Sequence, residues 1–317
     1  MRDAAPAPRE PLIWPLPPEP AKIGFVKTFE RPEDVEGEKS FFGKIIEILL
    51  GPKSNRIIKP YGIAIDSAGR VIVADTAYRK VHIFDSVKKK YRIISKAGKQ
   101  EFRAPIGVAT DSLDNIYVSD TLNAAVFVFD AKGGYVTAIK GMVRPTGIAI
   151  NKTYGLLYVV DTAEHDVKVF DLKGKLIKTF GKRGTDVGQF NYPVDIFVDA
   201  NGDVYVSDSL NFRLQIFDRD GGFITGFGNH GDSTGDMARP KGVAVDKDGN
   251  IYVVDAVFDA VQIFDRRGRF LLNFGSSGNG QGQFWIPAGI TIDDNSNIYV
   301  ADSYNRRVQV FEYFNSN

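Results

Sequence analysis

The feature that most constrains this chain is a spacing. Six times a short apolar run ends in Asp, and Phe follows nine residues later: Asp75 and Phe84, Asp120 and Phe129, Asp161 and Phe170, Asp208 and Phe217, Asp255 and Phe264, Asp302 and Phe311. A Pro precedes each Asp by fifteen or sixteen residues, at positions 60, 105, 145, 193, 240 and 287. Successive Asp residues lie 41 to 47 residues apart. Self-similarity at that period belongs to architectures built from stacked supersecondary units. A length of 317 residues would suggest two domains, but six copies of one unit can close into a single domain.

The last copy shows the grammar. Ile-Pro-Ala-Gly-Ile-Thr-Ile-Asp at 286–293 is followed by Asn-Ile-Tyr-Val-Ala-Asp at 297–302 and Arg-Val-Gln-Val-Phe at 307–311. Each stretch alternates or runs apolar over five to seven residues, is rich in β-branched and aromatic residues and is bounded by Gly, Asp and Asn, which marks strands rather than helices. Asp-x-x-Gly turns at 66–69, 199–202 and 246–249 join the first two strands, Asp starting the turn and Gly supplying positive φ. A fourth strand ends near Phe180, Phe227 or Phe274. Four short antiparallel strands per unit make a propeller blade, and six units predict an all-β, six-bladed β-propeller. The last copy lacks its fourth strand. Gly-Phe-Val-Lys-Thr-Phe at 24–29 matches the fourth strand of blade three, Lys-Leu-Ile-Lys-Thr-Phe at 175–180, so the strand at 22–30 is expected to complete blade six. The expected organisation is a Pro-rich extended leader at 1–21 and one propeller at 22–317, with an insertion at 31–59 and the repeats at 60–314.

The motifs Pro-x-Gly-Ile-Ala-Ile-Asp and Ile-Tyr-Val-x-Asp-Ser-x-Asn-x-Arg-Val-Gln-Val-Phe resemble the NHL repeat, as do the linkers Phe-Gly-x-x-Gly-x-x-x-Gly-Gln-Phe-x-x-Pro at 180–193 and 274–287. The resemblance spans roughly residues 60–314. It implies a six-bladed propeller and leaves the activity open, since propellers of this kind include protein-interaction modules, sensor domains, RNA-binding domains and a zinc-dependent amidating lyase.

The insertion breaks the blade grammar on the face of the loops that follow each repeated Asp. Ser40 as N-cap and Gly51-Pro52 as a stop predict a helix near 40–50 with an apolar face of Phe41, Phe42, Ile45, Ile46 and Leu49. It is expected to pack over the propeller mouth; docking to a partner or membrane is the alternative. The leader carries Pro at 6, 8, 11, 15, 17, 18 and 20, an extended tether. A segment of this kind is what remains when an export signal or lipoprotein leader is trimmed. An extracytoplasmic setting, in the periplasm or on the outer surface of a bacterial envelope, is therefore expected, with a cytoplasmic location as the alternative. The 40 basic and 39 acidic residues give no global basic field, and no run of eighteen apolar residues supplies a membrane span. Absent cysteine removes disulfides, thiolate metal sites and a cysteine nucleophile.

The three histidines, His82, His165 and His230, fall at non-equivalent repeat positions, so a tris-His zinc site is not expected. The six Asp residues recur in every blade, which suits a turn-fixing role better than catalysis. Departures from the repeat carry more information. Five blades have Gly two residues after the Pro, and blade four has Asp195, a candidate axial ligand for a polar group or for Ca²⁺. On the loops after each Asp, Tyr78, Arg79, Leu122, His165, Phe212, Phe258, Tyr304 and Arg306 form the candidate partner surface, a mixture of aromatics and Arg common at protein interfaces. Basic residues on that face, Arg79, Lys80, Arg213, Arg306 and Arg307, are interrupted by Glu164, Asp166 and Asp259, which argues against a nucleic-acid path. The expected function is a monomeric, non-catalytic protein-interaction platform with no cofactor. The rivals are a metal-dependent lactonase-like or lyase-like enzyme working at the axis, and a small-ligand binder.

Overall fold

The computed structural model describes residues 11–37 and 55–314. Six antiparallel sheets form the ring. Blade one runs Pro60–Ile65, Val71–Asp75, Lys80–Asp85 and Lys90–Ile94 from the axis outward. Blades two to five repeat this order, beginning with Pro105–Thr110, Pro145–Asn151, Pro193–Val198 and Pro240–Val245. Blade six takes Ile290–Ile292, Asn297–Asp302 and Arg307–Tyr313 from the C-terminal end and Ile23–Phe29 from the N-terminal end, as the sequence match at 24–29 foretold. Within the stretch expected as leader, Ile13–Trp14 adds a fifth strand outside Ile23–Phe29. The Trp14 ring lies 5.8 Å from Phe311 and 6.1 Å from Phe274, so aromatic packing holds this strap against the closing blade.

The core lies between blades. Second strands such as Ile116–Asp120 and Ile251–Asp255 are buried along their whole length, because a neighbouring blade covers each face. Each of the six blade interfaces has its own apolar cluster; that between blades one and two joins Ile72, Ile83 and Ile94 to Ile116, Phe127 and Phe129. Outer strands such as Lys90–Ile94 alternate, since one side meets water.

The turns between first and second strands form the opposite face from the loops after each Asp. Asp199 Oδ1 accepts the N–H groups of Asn201 and Asp203 at 2.9 Å, and its Oδ2 accepts the Tyr205 hydroxyl at 3.0 Å. Tyr252 with Asp246 and Tyr299 with Asp293 repeat the tie, which explains the Tyr that follows these turns in the repeat. In the insertion, the described residues form one short helix, Glu33–Glu36. The helix expected near 40–50, with Phe41, Phe42, Ile45, Ile46 and Leu49, lies outside the described residues.

Candidate functional site

The repeated Asp residues are built into the scaffold. The Ile58 and Lys59 N–H groups donate to the two oxygens of Asp75 at 2.6 and 3.1 Å, fastening the segment before Pro60 to the second strand of its own blade. Asp120 takes the N–H groups of Arg103 and Ala104 in the same way, and Asp161 those of Val143 and Arg144. In blade four only the Asn191 N–H reaches Asp208; the Tyr192 N–H donates to His165 Nδ1 of the preceding blade at 3.1 Å. In blade six the Ile286 N–H goes to Asp259 of the preceding blade at 2.7 Å. Tyr192 and Ile286 both have positive φ, which turns their N–H groups away from the usual carboxylate. Sequence departures at 165 and 259 are thus local repairs of this backbone geometry.

The Asn and Arg of the repeat also serve the scaffold. Arg213 donates from Nε to Asp208 and from its terminal nitrogen to the Gln189 carbonyl at 2.8 Å, and Arg307 makes the matching bonds to Asp302 and the Gln283 carbonyl. These two basic residues of the loop face are therefore spent on tying the Gly-Gln-Phe linkers to their blades.

The candidate contact residues separate by exposure. Arg79, Leu122, Tyr304 and Arg306 are exposed, and Tyr78, Phe212 and Phe258 are half-buried. Lys80 Nζ sits 3.6 Å above the Tyr78 ring, and the Phe212 ring packs 4.2 Å from His230. Phe258 lines a shallow cavity with Asp232, Phe270 and Asn273. His165 is buried and stacks edge-on to Tyr192 at 4.6 Å.

A cavity of about 450 Å³ lies on the axis. Its walls are the inner strands: small and aliphatic residues such as Ala64, Val108, Ile148 and Ile196. Its mouth on the turn face is polar, with Asn151, Lys152, Asp199 and Asp294. At the loop-face end it narrows to a neck of glycines. A Cβ on Gly107 would stand 2.5 Å from the Thr146 carbonyl and one on Gly242 2.5 Å from the Ala288 carbonyl, so neighbouring inner strands touch backbone to backbone there. Asp195 occupies the equivalent place in blade four. Gly147 leaves it room, since a Cβ there would meet Asp195 Oδ1 at 2.5 Å.

The Val243 N–H donates to Asp195 Oδ2 at 3.2 Å. Burial pushes this carboxyl up to about 7, against the pull of the Val243 and Ile196 N–H groups. Across the axis Tyr61 of blade one is raised to about 12, first by burial and next by Asp195, with Arg239 and Arg144 opposing. Lys241 Nζ lies 5.5 Å from the Tyr61 ring, and burial followed by the charges of Arg239 and Lys59 drives it down to about 8. Lys59, Arg144 and Arg239 each stand immediately before a repeat Pro, and Lys241 immediately after one. The Pro end of each inner strand pairs with the Asp end of the second strand, as Pro60 does with Asp75, which sets all four cations at the loop-face neck. Sequence reasoning passed over them because it followed the loops after Asp; the signal was the position before Pro, which reads Lys, Ala, Arg, Tyr, Arg, Ile around the ring.

Among the described residues no group of three or more His, Asp or Glu side chains converges as a metal site would require. Around Asp195 the neck carbonyls already accept: Ala288 from the Gly242 N–H and Tyr61 from the Gly289 N–H. Ca²⁺ takes six to eight oxygen ligands, and Asp195 is the sole carboxylate at the neck among the lining residues.

This ring of four-stranded blades, closed by strands from both chain ends around an axial cavity, defines a six-bladed β-propeller. A family model described as 6-bladed beta-propeller matches residues 248–314, and one described as NHL repeat matches residues 190–217. The chain is thus a six-bladed β-propeller whose fourth blade carries an NHL repeat. Solved structures share the fold at low identity. An inactive variant of virginiamycin B lyase from Staphylococcus aureus with quinupristin aligns at 14% identity over 82% of this chain and 97% of that one, with a TM-score of 0.61. An auxiliary nutrient binding protein from Bacteroides thetaiotaomicron aligns at 14% over 81% and 70%, with a TM-score of 0.64. A propeller from a nidogen/laminin complex aligns at 18% over 78% and 89%, with a TM-score of 0.59.

Proposed function

We propose that this propeller is a non-catalytic protein-interaction platform whose loop face receives a partner. One observation carries the reading: Leu122, Val143, Leu210, Val257, Trp285 and Tyr304, contributed by blades two to six, are between 43% and 59% exposed on that face. All lie two residues after a repeated Asp or two before a repeat Pro, so they form a crown around the neck. Removing apolar surface from water returns about 25 cal/mol per Å², and a crown of this kind is the sort of patch that marks a protein contact. Tyr78, Arg79, Phe212, Phe258, Tyr304 and Arg306 are the proposed polar and aromatic contacts beside it. The nidogen/laminin likeness adds a propeller found in a complex. A monomer in an extracytoplasmic setting is part of the same proposal. No helix among the described residues is long and apolar enough to cross a membrane.

The test is paired affinity capture from extract of the source cells, with wild type and with the Leu122→Ser, Leu210→Ser, Val257→Ser triple variant as baits. A near-stoichiometric partner held by wild type and lost by the variant is expected. Identical captured sets overturn the platform reading. A second reading, ligand binding or lyase-like chemistry at the axis, draws on the 450 Å³ cavity and on Asp195, whose carboxyl at about 7 suits proton exchange at neutral pH. A small-molecule turnover abolished in Asp195→Asn would favour it.

A further inference from the structure

We propose that the loop-face neck is an anion site, in which Lys59, Arg144, Arg239 and Lys241 hold the carboxylates of an acidic peptide segment of the partner. The proposal deepens the platform reading and rests on it.

Four cationic side chains from blades one, three and five converge where the cavity narrows. None makes an ion pair or a side-chain hydrogen bond among the described residues; Lys59 and Lys241 face only the rings of Tyr304 and Tyr61, at 4.9 and 5.5 Å. The scaffold does not require them. At the position before Pro, only the backbone N–H is used to cap the repeated Asp, and Ala104 does that as well as Arg144. At the position after Pro, Ile106, Val194 and Ala288 fill the place of Lys241 in other blades. Like charges gathered without an acid repel one another; Lys241 is depressed first by burial and then by the charges of Arg239 and Lys59, and only that second part records the repulsion. Asp195, one position deeper, relieves it only in part, because near neutral pH its carboxyl is only partly ionised.

The surroundings select the ligand. The cations are focused at the centre of the crown and do not run along a path, which suits a compact cluster of carboxylates flanked by apolar side chains. A nucleic-acid backbone needs a track of positive charge. Arg213 and Arg307, which could have extended one outward, are bound to Asp208 and Asp302.

The experiment uses the whole chain and a fluorescein-labelled hexapeptide of three glutamates followed by three leucines, read by anisotropy in about 0.15 M salt. Saturable one-to-one binding is expected. Affinity should fall at least tenfold, about 1.4 kcal/mol, in the Arg144→Gln, Arg239→Gln double variant and be unchanged in Lys247→Gln, a lysine exposed on the opposite face. Both arginines are exposed, so the double variant should melt as wild type does, and a melting scan checks this. Unsaturable binding, equal affinity in the double variant, or a hexauridine RNA that binds tighter than the peptide and depends on the same arginines overturns the proposal. The crown variant separates the two readings. Capture lost in the crown variant with peptide affinity unmoved by the neck variant removes the anion site and keeps the platform. Peptide affinity lost in the neck variant with capture unmoved by the crown variant keeps the anion site and removes the apolar platform.

Discussion

Replacing Asp195 by Asn should flatten one part of the pH dependence of stability. In the folded protein the Asp195 carboxyl is raised from the ordinary aspartate value of 3.8 to about 7, chiefly by burial. Between those values the native state holds a proton that the unfolded chain gives up, so stability falls as pH rises through that window and levels off above about 7. A rise of this size corresponds to about 4 kcal/mol at pH 8. The side chain is partly open to water in the cavity, which discounts the figure, and a loss of about 1 to 4 kcal/mol is expected. Asn keeps an oxygen for the Val243 N–H and carries no titrating proton. Urea unfolding of both proteins at pH 4.5 and pH 8, with linear extrapolation, gives the double difference. Wild type should lose stability relative to Asp195→Asn on going to pH 8. Parallel changes in the two proteins would show that the neck does not penalise a charge at this position, and the account of the neck would be wrong.

Three further outcomes follow from particular contacts. The Ser119 hydroxyl donates to the Thr146 carbonyl at 2.5 Å and accepts the Gly107 N–H at 2.8 Å, whereas Ser207 Oγ, its counterpart in blade four, has no partner among the described residues; Ser119→Ala should cost about 1–3 kcal/mol in urea unfolding and Ser207→Ala close to nothing, and equal losses would contradict the inter-blade role of Ser119. Trp14→Ala should lower stability by about 1–3 kcal/mol, below the range for a fully buried Trp, because the half-buried ring packs on Phe274 and Phe311; an unchanged melting curve would mean the strap adds nothing to ring closure. Ca²⁺ at about 1 mM should leave the melting temperature within about 1 °C, since the neck offers one carboxylate to an ion that takes six to eight oxygens; a rise that disappears in Asp195→Asn would establish Asp195 as a ligand of an axial ion.

The sequence by itself determined the ring. Six equal spacings demand six equivalent strand sets, and an incomplete last copy demands a strand from the other end; both are one-dimensional facts, because blades one to five are each built from contiguous residues and blade six lacks only the strand whose sequence recurs at 24–29. The scaffold role of the repeated Asp was legible for the same reason, since its backbone partners lie sixteen to eighteen residues upstream, as Ile58 and Lys59 do for Asp75 and Val143 and Arg144 for Asp161. Asp195 stood out as a break in a column of glycines. What only the tertiary structure decided lies between blades and across the axis. Ring closure brings Tyr61 of blade one within the electrostatic reach of Asp195 of blade four, 134 positions later in the chain, and it gathers Lys59, Arg144, Arg239 and Lys241 into one neck. No local pattern encodes those meetings. They depend on how many blades share the circle and on which side chains the glycine neck leaves room for, and that is a property of the closed ring.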